Sequence, residues 1–174
     1  MNRLKLLLPL LAAILAFTVL SVPAHARETR VDPATEMTVE QAGDYYLKHW
    51  CAKNPAAWRF DEKVWRGEEV VYQDDVRRRL PLIRRESRRY GKALYRFAVK
   101  MLNPPAAWPA GIAAPMEDYI RLYLKSARIR LAQGQASNAL QWLRQNDKAN
   151  KIKASVPAIE IRAGLALPPP NEGC

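Results

Sequence analysis

Histidine is nearly absent. The chain has only His25 and His49. A two-histidine zinc motif therefore cannot form within one folded domain, and no third soft ligand accompanies the two cysteines. The seven glycines are scattered, so no glycine-rich phosphate loop is present. No strand-like alternation of useful length appears, which excludes a sheet-built fold. Nor is there an internal repeat. Ser87, Ser126, Ser137 and Ser155 lie in helical or polar surroundings, without the strained turn that a nucleophilic serine needs. Asp61-Glu62, Glu68-Glu69 and Asp74-Asp75 are paired carboxylates by adjacency alone. Neighbours on a helix point about 100° apart, so none is a preset acid–base dyad. The expectation is a protein with no catalytic residues, no cofactor and no metal. A hydrolase built from separated carboxylates is the remaining enzymatic reading.

The apolar runs are equally limited. Leu6 to Leu20 is the longest, preceded by Arg3 and Lys5 and followed by Ala24-His25-Ala26. That pattern is a secretory signal peptide over residues 1–26. The competing reading, an uncleaved anchor, needs about 17–25 apolar residues and meets Pro9 inside a shorter run. No later run approaches spanning length. The expected location is therefore extracytoplasmic, secreted or associated with the cell envelope. Residues 27–36 are polar and expected to be flexible; residues 37–174 form one domain large enough for its own core.

Cysteine is rare, but an even pair in an exported chain reads as a disulfide. Cys51 to Cys174 would close a loop of about 120 residues, worth up to roughly 4–5 kcal/mol on the chain-entropy model. Two free or intermolecular thiols are the alternative.

What the sequence has in abundance is positive charge, +11 overall. It is concentrated in Val76–Met101, which holds ten Lys or Arg against one acid, Glu86. In the same stretch Val76, Leu80, Ile83, Ser87, Tyr90, Leu94, Phe97 and Met101 recur in steps of four and three. This spacing predicts a long helix with one buried stripe. Pro81 predicts a kink near its start, and Asp74 or Asp75 a cap. Residues 27–75 carry a net charge of −4, complementary to that helix.

Thr38-Val39-Glu40-Gln41 is a capping box, so a helix begins there. Asn54-Pro55 predicts its end near Lys53, with a short helix following, interrupted near Gly67. Residues 102–115, with four prolines and Trp108, form a connection. Pro115 is placed at the start of the next helix, whose stripe is Met116, Ile120, Tyr123, Ala127 and Leu131, with Gly134 near its end. Leu140 and Leu143 extend an apolar face, and a last helix runs from Pro157 to Gly164. The fold class is all-α: an antiparallel bundle of three long helices with short satellites, expected to be monomeric.

Asp44-Tyr45-Tyr46-Leu47 with Cys51 and Asn54, Trp108-Pro109, Ile161-Arg162 before Leu165-Ala166-Leu167-Pro168-Pro169, and Gly173-Cys174 resemble a group of small exported proteins of actinobacteria. Their pattern is YYL-x-x-x-C, then WP between helices, then IR-x-x-L-G-L-P-P and a late cysteine. The resemblance implies helices and a Cys51–Cys174 bond, and supplies no activity. Many of those proteins are lipoproteins; this chain has no lipidation cysteine, and Ala166 replaces their glycine.

The candidate site is cationic: Arg77, Arg78, Arg84, Arg85, Arg88, Arg89, Lys92 and Arg96. Arginine forks bind phosphate bidentately, so an anionic envelope polymer or lipid head group is the expected partner. A merely solvated face with local ion pairs is the plainer reading. Nucleic acid would use the same charges, but export argues against it. Tyr45, Tyr46, Trp50, Trp58, Trp65 and Trp108 read as core and bundle-end packing or, alternatively, as a ligand groove or a protein-contact surface around Trp58 and Trp108.

Overall fold

A computed structural model describes residues 35–67, 72–152, 155–168 and Cys174. The expected signal peptide, most of the polar lead and the Glu68-Glu69 pair lie outside the described residues. Among the described residues five α-helices follow one another: α1 (Val39–Phe60), α2 (Gln73–Leu102), α3 (Ala110–Gly134), α4 (Ala139–Asn150) and α5 (Ser155–Gly164). The three long helices are those expected.

Two antiparallel pairings follow from side-chain contacts. On α1 and α2, Tyr46 meets Phe97 and Phe60 meets Tyr90, at ring separations of 6.0 and 5.1 Å. On α2 and α3, Phe97 meets Tyr123, with ring centres 5.0 Å apart. Gly91 lies under Leu131, and Arg88 against Gly134. Numbers rise on one helix as they fall on the other.

The stripe of α2 is buried as its spacing predicts. Val76, Ile83, Ser87, Leu94, Phe97 and Met101 are all inside, and Leu80 and Tyr90 pack half-buried against the core. One core cluster surrounds Tyr46, Phe97, Met101, Met116, Tyr119 and Ile161. A second gathers Phe60, Val64, Val76, Ile83 and Trp142 at the N-terminal end of α2. Trp142, fully buried, donates its indole N–H to Ser87 Oγ at 3.0 Å, and Ser87 in turn donates to the Ile83 carbonyl. The α4 face is therefore set by Trp142; Leu140 is exposed and Leu143 only half-buried.

The Thr38 capping box forms in both directions, with hydrogen bonds of 3.0 and 3.1 Å. Just before it, Met37 donates to the Ala107 carbonyl at 2.9 Å and Ala107 to that of Thr35. Thr35 and Glu36, grouped by polarity with the lead, are thus paired with the α2–α3 connection. In that connection Trp108 donates to the Met101 carbonyl at 3.1 Å and packs on the first core.

Four local expectations are corrected. Helix α1 does not stop at Lys53 but runs through Pro55 to Phe60. A proline inside a helix costs about 3 kcal/mol, and here burial of Phe60, and of Val64 just beyond it, in the second core cluster holds the segment against that cost. No separate short helix follows. One π-helical turn (Asp61–Trp65) continues α1 and ends at Arg66 and Gly67, both with positive φ. Helix α2 is capped by neither aspartate: Tyr72 precedes it without a side-chain cap, and Asp74 and Asp75 fall in the first turn. There they face the positive helix end, and Asp75 accepts from Arg79. Helix α3 begins at Ala110, not Pro115. Burial of Ile112 against Gly164 secures its extra first turn.

Cys51 and Cys174 form the expected disulfide, with Cα atoms 5.5 Å apart. No helix among the described residues is long and apolar enough to cross a membrane.

Candidate anion-binding surface

Helical geometry sorts the cations of α2 into two sets. At about 100° per residue, Arg78, Arg85, Arg89, Lys92, Arg96 and Lys100 fall on one stripe, and Arg77, Arg84 and Arg88 on another. All six side chains of the first set are exposed. In the second set Arg84 is half-buried, while Arg77 and Arg88 are exposed. Arg84 donates to the Gly134 carbonyl, the last of α3, at 3.4 Å, a favourable place for a cation at a helix C-terminus. The stem of Arg88 covers Gly134 so closely that a Cβ there would collide with it. Arg77 pairs with Asp74 at 3.3 Å. The tenth cation, Arg79, is half-buried: it binds Asp75 and the Lys63 and Val64 carbonyls.

Glu86, the single acid of the stretch, is 1% exposed. Arg59 of α1 reaches it at 2.9 Å, Arg85 at 3.1 Å and Arg89 at 3.2 Å. Burial alone would raise its carboxyl pKa. Hydrogen bonds from Arg59 and Arg85, and the charges of Arg59 and Arg89, outweigh that and hold it below the usual range. Three half-exposed guanidiniums around one carboxylate leave this part of the stripe positive. Lys92, Arg96 and Lys100 form no ion pair with any described carboxylate.

Beside the stripe, α1 and α2 enclose a groove of about 380 Å³. His49, Ala52 and Lys53 line it from α1, and Ala93, Arg96, Phe97 and Lys100 from α2. Lys53 is 5% exposed. Its ammonium stands 3.5 Å above the Trp50 ring and 5.8 Å from those of Phe97 and Tyr123. It donates to Asn54 Oδ1 at 3.2 Å. Asn54 Nδ2 lies 3.3 Å from Cys174 Sγ, so the disulfide steadies the lysine's one amide partner. Desolvation pushes the Lys53 pKa down to about 8. Desolvation, then the charges of Lys100 and Lys48, lower that of His49.

A second groove, about 490 Å³, lies between α3 and α4. Lys125, Arg128, Lys148 and Lys151 line it around Ile129 and Ala132. Neither groove is legible in the sequence, because each is assembled from two helices whose separate charges look ordinary.

Three carboxylates of the described acidic pairs are taken up by neighbouring cations. Glu62 pairs with Lys63, Asp74 with Arg77, and Asp75 with Arg79. The Arg79 hydrogen bond, helped by the charges of Arg79, Arg66 and Arg78, lowers the Asp75 pKa against desolvation. Among the described residues no three His, Cys, Asp or Glu are grouped to hold a metal. Of the aromatics, Tyr46 is core and Tyr45, Trp50 and Trp108 pack against it; Trp65 packs on the second cluster. Trp58 is 62% exposed.

No protein-family model, curated protein or solved structure matches this chain.

Proposed function

We propose that the chain acts without catalysis, holding an anionic envelope polymer or anionic lipid head groups along the exposed stripe of α2, outside the cytoplasm after loss of residues 1–26. The observation that carries this reading is the stripe itself: six exposed cations from Arg78 to Lys100, spanning roughly 33 Å of helix. Its only intervening acid is buried beneath guanidiniums. A rod of positive charge suits an extended polyanion or a flat anionic surface. A disulfide suits an oxidising compartment.

Co-sedimentation tests the proposal. The protein should pellet with phosphatidylglycerol vesicles or long-chain polyphosphate and not with phosphatidylcholine. About 0.5 M salt, which shortens the screening length to a few ångströms, should release it. Arg78→Glu with Lys92→Glu reverses two exposed charges and should weaken binding by about tenfold or more. Binding indifferent to salt, or untouched by the reversal, overturns the reading.

A protein–protein adaptor is the second reading, and one observation favours it: the exposure of Trp58. Trp108, bonded to Met101 and packed on the core, belongs to the fold. Trp58→Ala should then lower partner recovery while leaving the melting temperature unchanged.

A further inference from the structure

We propose that the groove between α1 and α2 is a discrete site for a phosphate group, with Lys53 as its innermost charge. This goes beyond the binding of a polymer or lipid along α2, because it assigns a pocket and a residue that the stripe does not contain.

The argument begins with the cost of Lys53. An ammonium taken out of water is strongly penalised unless it is paired. Lys53 is only 5% exposed, yet its one polar partner is a neutral amide, and no described carboxylate reaches it. Aromatic faces compensate in part. The rest of the groove increases the positive potential: Arg96 and Lys100 stand on the facing helix, and His49 lies one turn before Lys53. Four groups that carry or acquire positive charge thus line one concavity, and none of its lining residues is acidic. Concave walls of low dielectric focus such a field. An entering anion would supply the counter-charge that the fold omits.

Phosphate fits this donor set better than carboxylate. A phosphomonoester brings up to two charges and three terminal oxygens, against one charge and two oxygens. Arg96 supplies a fork, the lysines point charges. Ala52, Ala93 and Phe97 leave an apolar wall beside the charges for the group that bears the phosphate. That phosphate could come from a soluble phosphomonoester or from a lipid head group.

His49 provides the readout. A bound anion favours the imidazolium and raises the depressed His49 pKa. The His49 ring resonances are followed by NMR during titration with glycerol 3-phosphate, with acetate and chloride at matched ionic strength. In parallel, binding to phosphatidylglycerol vesicles is measured. Lys53→Met keeps the stem and removes the charge. Ala52→Leu, at an exposed lining position of α1 outside the stripe, narrows the groove without changing its charge, and decides the question should Lys53→Met fail to fold.

A saturable His49 shift with glycerol 3-phosphate, weakened about tenfold or more in the variants, supports the site and a soluble source. Vesicle binding lost in the variants, without a response to glycerol 3-phosphate, supports the site and a lipid source. An equal response to acetate overturns the phosphate assignment. Vesicle binding and His49 shifts unchanged in both variants overturn the groove, while leaving the α2 stripe intact.

Discussion

The ammonium of Lys53 lies 3.5 Å above the centre of the Trp50 ring, inside the protein and without an acidic partner. Its charged form is therefore disfavoured by folding. The folded pKa is about 8, against about 10.5 for an exposed lysine. Between these values the unfolded chain holds a proton that the folded chain has released. Stability must then rise with pH across that window, by at most about 3 kcal/mol. The neighbours His49, Arg96 and Lys100 are positive or neutral and cannot reverse this sign. Tyr46, Tyr119 and Tyr123, whose phenols burial raises, act in the opposite sense above about pH 10. Urea unfolding at pH 7.0 and 9.5 should show a gain in the wild type that Lys53→Met lacks. Parallel profiles would refute it.

Glu86 is the converse case, a buried carboxylate with three cationic partners. Its pKa is held below the usual range, so its contribution is complete above about pH 4.5 and is lost as pH falls through the folded value. Glu86→Gln removes the charge but keeps the shape. The three arginines are about half exposed and can recover hydration, which limits the penalty to about 2–3 kcal/mol. The variant should also lose the acid-side slope of stability near pH 4. Denaturant midpoints at pH 7 and pH 4 measure both effects.

Which features were readable in advance follows a physical rule. The stripe of α2 and the Thr38 capping box are local: residues three or four apart decide them, and both form as expected. The Asn54-Pro55 stop is also local, but here burial of Phe60 in the second core cluster overrides it. Trp142 is core although the weak apolar pattern of α4 points to Leu140 and Leu143. The set of surface cations was only partly informative. Composition groups Arg84 and Arg88 with Arg85 and Arg89, whereas the former pair lies on the side of α2 that packs against Gly134 of α3. The Lys53 groove had no sequence signal at all, since its charges meet only when α1 crosses α2.

Gly91 tests the closeness of α2 to α3. A Cβ at this position would stand 2.9 Å from the Leu131 backbone nitrogen and 3.2 Å from the Ala127 carbonyl. Backbone cannot swing aside as a side chain can. Gly91→Ala should therefore destabilise by about 1–3 kcal/mol, despite alanine's better helix propensity. Exposed Gly111, where a Cβ would meet nothing within 4 Å, is the control: Gly111→Ala should be neutral or slightly stabilising. Thermal unfolding of the two variants ranks them directly.

The disulfide offers a test that joins stability to the groove. Replacing Cys51 and Cys174 together with serine opens a loop of 123 residues. On the chain-entropy model this should cost about 4–5 kcal/mol, read as a lower denaturant midpoint. Intact mass with and without reductant reports whether the bond is present in the wild type. A second effect should accompany the first. Asn54 contacts Cys174 and accepts from Lys53, so freeing the tail loosens the lysine's amide partner and admits water. The Lys53 pKa should then move back up from about 8 towards the ordinary lysine value. The alkaline gain in stability should shrink in the serine variant as it does in Lys53→Met. If the variant loses stability yet keeps the full gain between pH 7.0 and 9.5, the sulfur bridge holds the tail but does not set the environment of Lys53.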